Sequence, residues 1–291
     1  EPPHRMTRLT LALATLAALF ALTPGVSEAM ASDRSVAKMV SFGGSCAKCE
    51  LSGRQLAGAR FIGADFTAAA LVGSDLRGAR FLGSAFERAD LTRADLSDSQ
   101  MMGANFQAAT LVDAVMNSAA LNGANFAGAR LNRVDLRDAE ATGANFARAD
   151  LTDARFDDGQ LNASNLAGVI ARGARFVDAQ LTAANLSGGR FDRADFRDAD
   201  LAMANLRGAR FDGADFRDAD LRRANISGVD LSSARGLTQD QLDEACGDGA
   251  TRAPRGLVVR ACGGRWIAPP APPPPPAPPA PRHLVALDER F

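Results

Sequence analysis

The residues of this 291-residue chain with the types to do chemistry are four cysteines, a run of closely spaced carboxylates and two histidines. Cys46 and Cys49 form a CxxC, a spacing used for redox exchange, haem attachment and zinc. No βαβ pattern surrounds it, and haem attachment needs a His where the chain has Glu50. Zinc needs four converging ligands, and the other two cysteines, Cys246 and Cys262, stand at the far end of the sequence. Asp195, Asp198 and Asp200 recur twenty residues later as Asp215, Asp218 and Asp220. Carboxylates so paired can bind Ca²⁺ or raise one another's pKa. Arg193, Arg197, Arg217, Arg222 and Arg223 are interleaved with them, so the expectation is a charge-compensated, solvated wall. His4 and His283 lie near the ends, and residues 51–235 hold no His, Lys or Tyr. Nucleophile–histidine pairs are thereby excluded from this stretch. No catalytic residue, metal or cofactor is expected, and the chain is read as a non-enzyme.

The elements that carry these residues follow a period of five. From Leu51 to Leu231 every fifth residue is Leu or Phe, except Met101, Met116, Ala141, Ala171 and Ile226. Two places earlier, from Ala59 to Val229, the residue is always Ala, Ser, Gly or Val. A helix turns about 100° per residue, so a step of five scatters these side chains around its whole circumference. A straight strand fails too, because an odd step swaps faces at each repeat. The pattern works if the chain turns a corner in every repeat. The small residue and the Leu/Phe then point inward, the residue between them points out, and the remaining two make the corner.

"ADLTRADLSD", "GANFAGARLN" and "RADFRDADLA" resemble the pentapeptide-repeat family, whose motif is A-(D/N)-L-X-X. The resemblance covers about 180 residues and implies an all-β fold: a right-handed, four-sided parallel β-helix with one repeat per side and a short C-terminal capping helix. The twenty-residue coil can be checked separately. Phe66, Phe86, Phe106, Phe126 and Phe146 are twenty apart, as are Phe156, Phe176, Phe196 and Phe216. Asn105, Asn125, Asn145, Asn165, Asn185, Asn205 and Asn225 repeat likewise. Four sides align each set as a stacked column, as solenoids and cross-β ladders do. Coils about 4.8 Å apart make a filled rod of about nine coils, roughly 45 Å long, with no ligand cavity.

The chain divides into five parts. Residues 1–31 read as a signal peptide: Arg8 is the charge, Leu9 to Leu22 the apolar run, and the small residues up to Ala31 the cleavage region. Residues 1–5 precede Met6 and read as untranslated. No stable membrane span is expected after processing, because the run falls short of the ~20 residues of a span. Residues 32–50 form an N-terminal cap with the CxxC, 51–235 the β-helix, 236–266 a C-terminal cap, and 267–291 a Pro-rich disordered tail. In "GLTQDQLDEACGD" Thr238 is an N-cap and Gln241 completes a capping box. Leu237 and Leu242 form a staple around the turn, and Gly247 is placed where the helix stops. An exported chain favours disulfides. Cα atoms must lie within about 7 Å, which pairs Cys246 with Cys262 and leaves Cys46 with Cys49.

Net charge is −1, and residues 51–235 carry 24 acidic against 22 basic residues. That balance argues against nucleic acid as a partner. The expectation is an exported, periplasmic or secreted, non-catalytic scaffold that binds an unknown protein partner. A homodimer would form through the N-terminal end, since the cap helix blocks the other. The resemblance also implies an alternative, a cytosolic DNA mimic that binds DNA gyrase or topoisomerase. The signal peptide and the near-neutral charge both disfavour it.

Overall fold

The structure, a computed structural model, describes residues 44–261. Within them every rung of the rod is a parallel bridge between residues twenty apart, from Ser45–Asp65 to Asp215–Arg235. The fold is a right-handed four-sided parallel β-helix. In one coil the four walls are centred on Asn105, Thr110, Val115 and Ala120. They are called A, B, C and D below.

One repeat accounts for all its backbone donors. Asn105 N–H donates down to Ser84 O at 2.9 Å, and Phe106 N–H donates up to Asn125 O at 2.7 Å. Ala108 N–H donates up to Ala127 O, and Ala109 N–H closes the corner on Phe106 O, both at 3.0 Å. The fifth donor, Gln107 N–H, faces no neighbouring strand and goes to the Asn105 side-chain oxygen at 3.1 Å. Buried or half-buried amides must find acceptors, and this is why the motif asks for Asp or Asn before the Leu/Phe. That side chain is the acceptor for the amide two residues on. Asp65, Asp90, Asp150 and Asn125 do the same for Thr67, Thr92, Thr152 and Ala127.

Each corner needs its second residue in the left-handed region, as in a type II turn. Gly78 takes φ 63° there and Gly208 φ 66°. Where glycine is absent, another residue, most often Asp, Arg or Ala, is forced into the same region, as at Asp138 (φ 57°), Arg148 (φ 59°) and Ala108 (φ 56°).

The bore is filled. Leu, Phe and the small inward residues from Ala69 to Ala204 lie almost entirely out of contact with solvent. Phe66 to Phe146 stack down wall A, with Phe106 and Phe126 rings 4.8 Å apart and 3° from parallel. Phe156 to Phe216 stack down the opposite wall C. Phe146 and Phe156 meet edge to face at 5.7 Å, where one column hands over to the other. That coil carries two large rings on opposite sides, and its third side falls to Ala141, which holds the packed volume near constant. Phe61–Phe81 and Phe191–Phe211 form two further short stacks. Their twenty-residue spacing is present in the sequence.

At the C-terminal end a six-residue helix, α1 (Gln239–Glu244), lies against the last coil. Thr238 is its N-cap and the reciprocal bonds of the Thr238–Gln241 capping box are both present. Leu242 is fully buried and Leu237 half-buried. The Gln241 side-chain amide also donates to Phe216 O (3.0 Å) and Ala219 O (2.8 Å), and Thr251 Oγ1 donates to Ile226 O (2.9 Å). The helix stops at Ala245, which turns extended. Gly247 is therefore not the helix stop. It pairs with Ala261 in a final rung, and a Cβ there would collide with the Val259 side chain.

Cys46 and Cys49 are joined as a disulfide across the first corner, with Cα atoms 5.2 Å apart. Cys246 is a half-cystine beside Asn225. Cys262, its expected partner, lies outside the described residues, as do residues 1–31, expected to be a signal peptide, and the Pro-rich tail.

Candidate interaction surface

With the bore filled, the surface the described β-helix offers consists of its walls and corners, and each of these carries a different chemistry. Wall A is an amide ladder. Asn125 donates to Asn105, Asn145 to Asn125, and so on to Asn225, with N···O distances of 3.0–3.4 Å. Each Asn oxygen from Asn105 to Asn205 thus accepts both from the next rung and from its own corner amide, and Asn225 accepts from the Ser227 amide alone. The ladder starts at Glu87, which accepts from Asn105. Every member is partnered, so the ladder fastens coils and presents little unused hydrogen-bonding capacity.

Walls C and D carry clasps of the form Asp-X-Arg. In Asp75-Leu76-Arg77, Asp135-Leu136-Arg137, Asp195-Phe196-Arg197, Asp215-Phe216-Arg217 and Asp220-Leu221-Arg222 the carboxylate takes the corner amide and the guanidinium together. The Arg–Asp contacts run from 2.5 to 2.7 Å. Hydrogen bonding from the arginine holds each of these carboxyls below the usual range, against a smaller opposing effect of burial. Asp157 is almost buried between Arg155 (3.2 Å) and Arg175 (3.1 Å).

The suspected acidic pairs divide accordingly. Asp195, Asp215 and Asp220 are clasped by arginine, and Asp200 accepts from Thr182 Oγ1 at 2.7 Å. Asp198 and Asp218 stand apart, on the corner between walls C and D. There they continue an exposed column with Asp138, Asp158 and Asp178. Among the described residues no three His, Cys, Asp or Glu converge as a metal site.

The corner between walls D and A changes character along the rod. Near its N-terminal end Ile62, Leu82 and Met102 occupy one column, with Ile62 64% and Met102 44% exposed. Arg60 and Arg80 pair beside them on wall D, exposed and without an ion-pair partner among the described residues. Their twenty-residue recurrence was legible in the sequence, but the outward direction of position 62 was fixed only once the corner was placed.

Two family models match this stretch. Pentapeptide repeats (8 copies) fits residues 45–81, 59–98, 160–198, 174–213 and 199–235, and the pentapeptide repeat region fits 89–166. The chain belongs to the pentapeptide-repeat family. Among solved structures it is similar to HetL, a pentapeptide repeat protein involved in heterocyst differentiation regulation in the cyanobacterium Nostoc. The two are 27% identical over 72% of this chain and 90% of HetL, with a TM-score of 0.56. QnrB1, a plasmid-mediated fluoroquinolone resistance protein, matches at 20% identity over 74% of this chain and 93% of its own, with a TM-score of 0.44. A pentapeptide repeat protein of the Arabidopsis thaliana thylakoid lumen matches at 30% identity over 41% and 69%, with a TM-score of 0.31. No curated protein matches.

Proposed function

We propose that this pentapeptide-repeat chain is an exported, non-catalytic scaffold that holds a protein partner on the outer surface of its rod. The observation that carries the reading is the contrast between a uniform, solvent-free bore and walls of distinct chemistry. A bore closed to ligands leaves the outside as the working surface, and rigid repeats hold that surface in fixed register. Export rests on Met6 to Ala31, whose composition is that of a secretory signal. The partner is an unidentified protein. The end open to association between copies of the chain is the N-terminal one, because α1 covers the other.

The second reading, a cytosolic DNA mimic, has one feature in its favour, the exposed Asp138–Asp218 column. The arginine clasps on the adjoining walls oppose it, since mimicry of phosphate needs a net acidic face. Fractionation of the native host with intact-mass analysis separates the two readings. A periplasmic or secreted form, cut near Ala31 and four mass units light for two disulfides, supports the scaffold. An uncut cytosolic form with free thiols overturns it, and gyrase inhibition assays then become the next step.

A further inference from the structure

The apolar corner of Ile62, Leu82 and Met102 is out of place on a polar rod. Three coils carry it on successive rungs, about 4.8 Å apart, and Ile62 and Met102 are largely exposed. Beside it Arg60 and Arg80 sit on adjacent rungs. Two stacked guanidiniums without an ion-pair partner among the described residues repel each other and favour an anionic neighbour. The occupant that fits is therefore apolar and acidic together, and narrow. A second copy of the rod meets these terms poorly, because three side chains on a convex corner fall far short of the ~800 Å² per partner of a stable dimer.

The chain itself contains such a segment. Leu284, Val285 and Leu287 are followed directly by Asp288 and Glu289. The distances agree. Ala261 lies two rungs beyond the coil of Asn225, and so nine beyond that of Leu82, about 43 Å away at ~4.8 Å per rung. The 22 residues between Ala261 and Leu284 reach up to about 70 Å when extended, enough to bring residues 284–289 to the level of Leu82. We propose that the Ile62–Leu82–Met102 corner, with Arg60 and Arg80, is the docking site of the chain's own segment Leu284–Glu289. Tethering places that segment at an effective concentration near millimolar, so a small corner is enough to hold it. The docked state shields the apolar corner, and an external partner competing for the corner would release the tail.

Met102 provides the readout in the intact chain. Its oxidation by dilute peroxide, followed by peptide mass spectrometry, is compared with that of Met203, which is similarly exposed (37%) in the same corner region but far along the rod. Wild-type Met102 is expected to oxidise about tenfold more slowly than Met102 in Leu284→Asp/Leu287→Asp, the protection given by ~1 mM of tethered segment at a site of ~0.1 mM affinity. Met203 should not change. Arg60→Glu/Arg80→Glu should remove the protection, and adding Asp288→Arg/Glu289→Arg should restore it. Equal Met102 rates in wild type and the tail variant overturn the proposal. So does protection that fades on dilution, since that places a second copy or another chain on the corner.

Discussion

The two ends of the rod stop the same repeat by different means. At the C-terminal end the last coil is met by side chains chosen for its loose ends: Gln241 takes Phe216 O and Ala219 O, Thr251 takes Ile226 O, and Leu242 closes the bore. At the N-terminal end the first coil carries a disulfide within a single corner, Cys46–Cys49. Glu50, Gln55 and Arg60 bridge upward to Ala70, Asp75 and Arg80, and no strand lies beneath them among the described residues. The inward position at Arg54 holds a charged residue where the coils above hold Ala, Ser, Gly or Val. A charge in that place discourages another coil from stacking beneath. The contrast teaches that a solenoid's repeat sets its cross-section, while its length is set by residues that break the repeat.

The sharpest break of that comparison lies midway between the ends. Phe106→Asp puts a carboxylate between Phe86 and Phe126 and should cost about 5 kcal/mol or more, enough to abolish the cooperative circular dichroism melt. Asp138→Asn, on an exposed corner, should leave the melt unchanged. An unaltered melt for Phe106→Asp would sink the stacked-column account.

Next in size is the C-terminal closure. Leu242→Ala should cost about 2–4 kcal/mol, and Gln241→Leu about 1–3 kcal/mol by stranding two carbonyls. Hydrogen exchange should quicken in residues 216–231 first. Uniform quickening along the rod would mean that the end is not separately closed. The paired test at the other end, Cys46→Ser/Cys49→Ser, should quicken exchange near residues 44–56 and leave 216–231 alone.

The arginine clasps add a pH dependence. The carboxyls of Asp75, Asp135, Asp195, Asp215 and Asp220 are lowered in the folded state. Their contribution is therefore present above the unfolded pKa of about 4 and is lost as pH falls through the folded values below it. A urea midpoint should hold steady from about pH 7 to 5 and fall below about pH 4. Because four of the five clasps lie at Asp135 and beyond, the C-terminal half should loosen first in acid. Asp195→Asn/Asp215→Asn should flatten that fall.

The smallest effects test the corners. Ala108 and Arg148 hold left-handed φ values, so Ala108→Gly should be neutral to stabilising by up to about 1 kcal/mol. Gly78→Ala, with open space around it, should cost about 1 kcal/mol through backbone strain alone. Opposite signs in thermal melts are the expected result.

The sequence by itself determined the cross-section. A five-residue apolar period with a small residue two places earlier admits neither helix nor flat strand, and Phe66–Phe146 and Asn105–Asn225 at twenty-residue intervals require four sides. This was legible because each repeat contacts its own copy one coil away, so sequence spacing and spatial contact coincide. What the motif's Asp and Asn do was not legible. Asp195 and Asp215 read as part of a charge-compensated wall with Arg197 and Arg217, and only the placed corner revealed the amide two residues on that each carboxylate accepts. Gly247 was misassigned for the same reason, since its need for a missing Cβ comes from Val259, a neighbour that no period predicts. Repetition carries structure through the sequence as far as it runs. At corners, caps and surface patches the deciding neighbour is not at a fixed spacing, and there the tertiary structure alone decides.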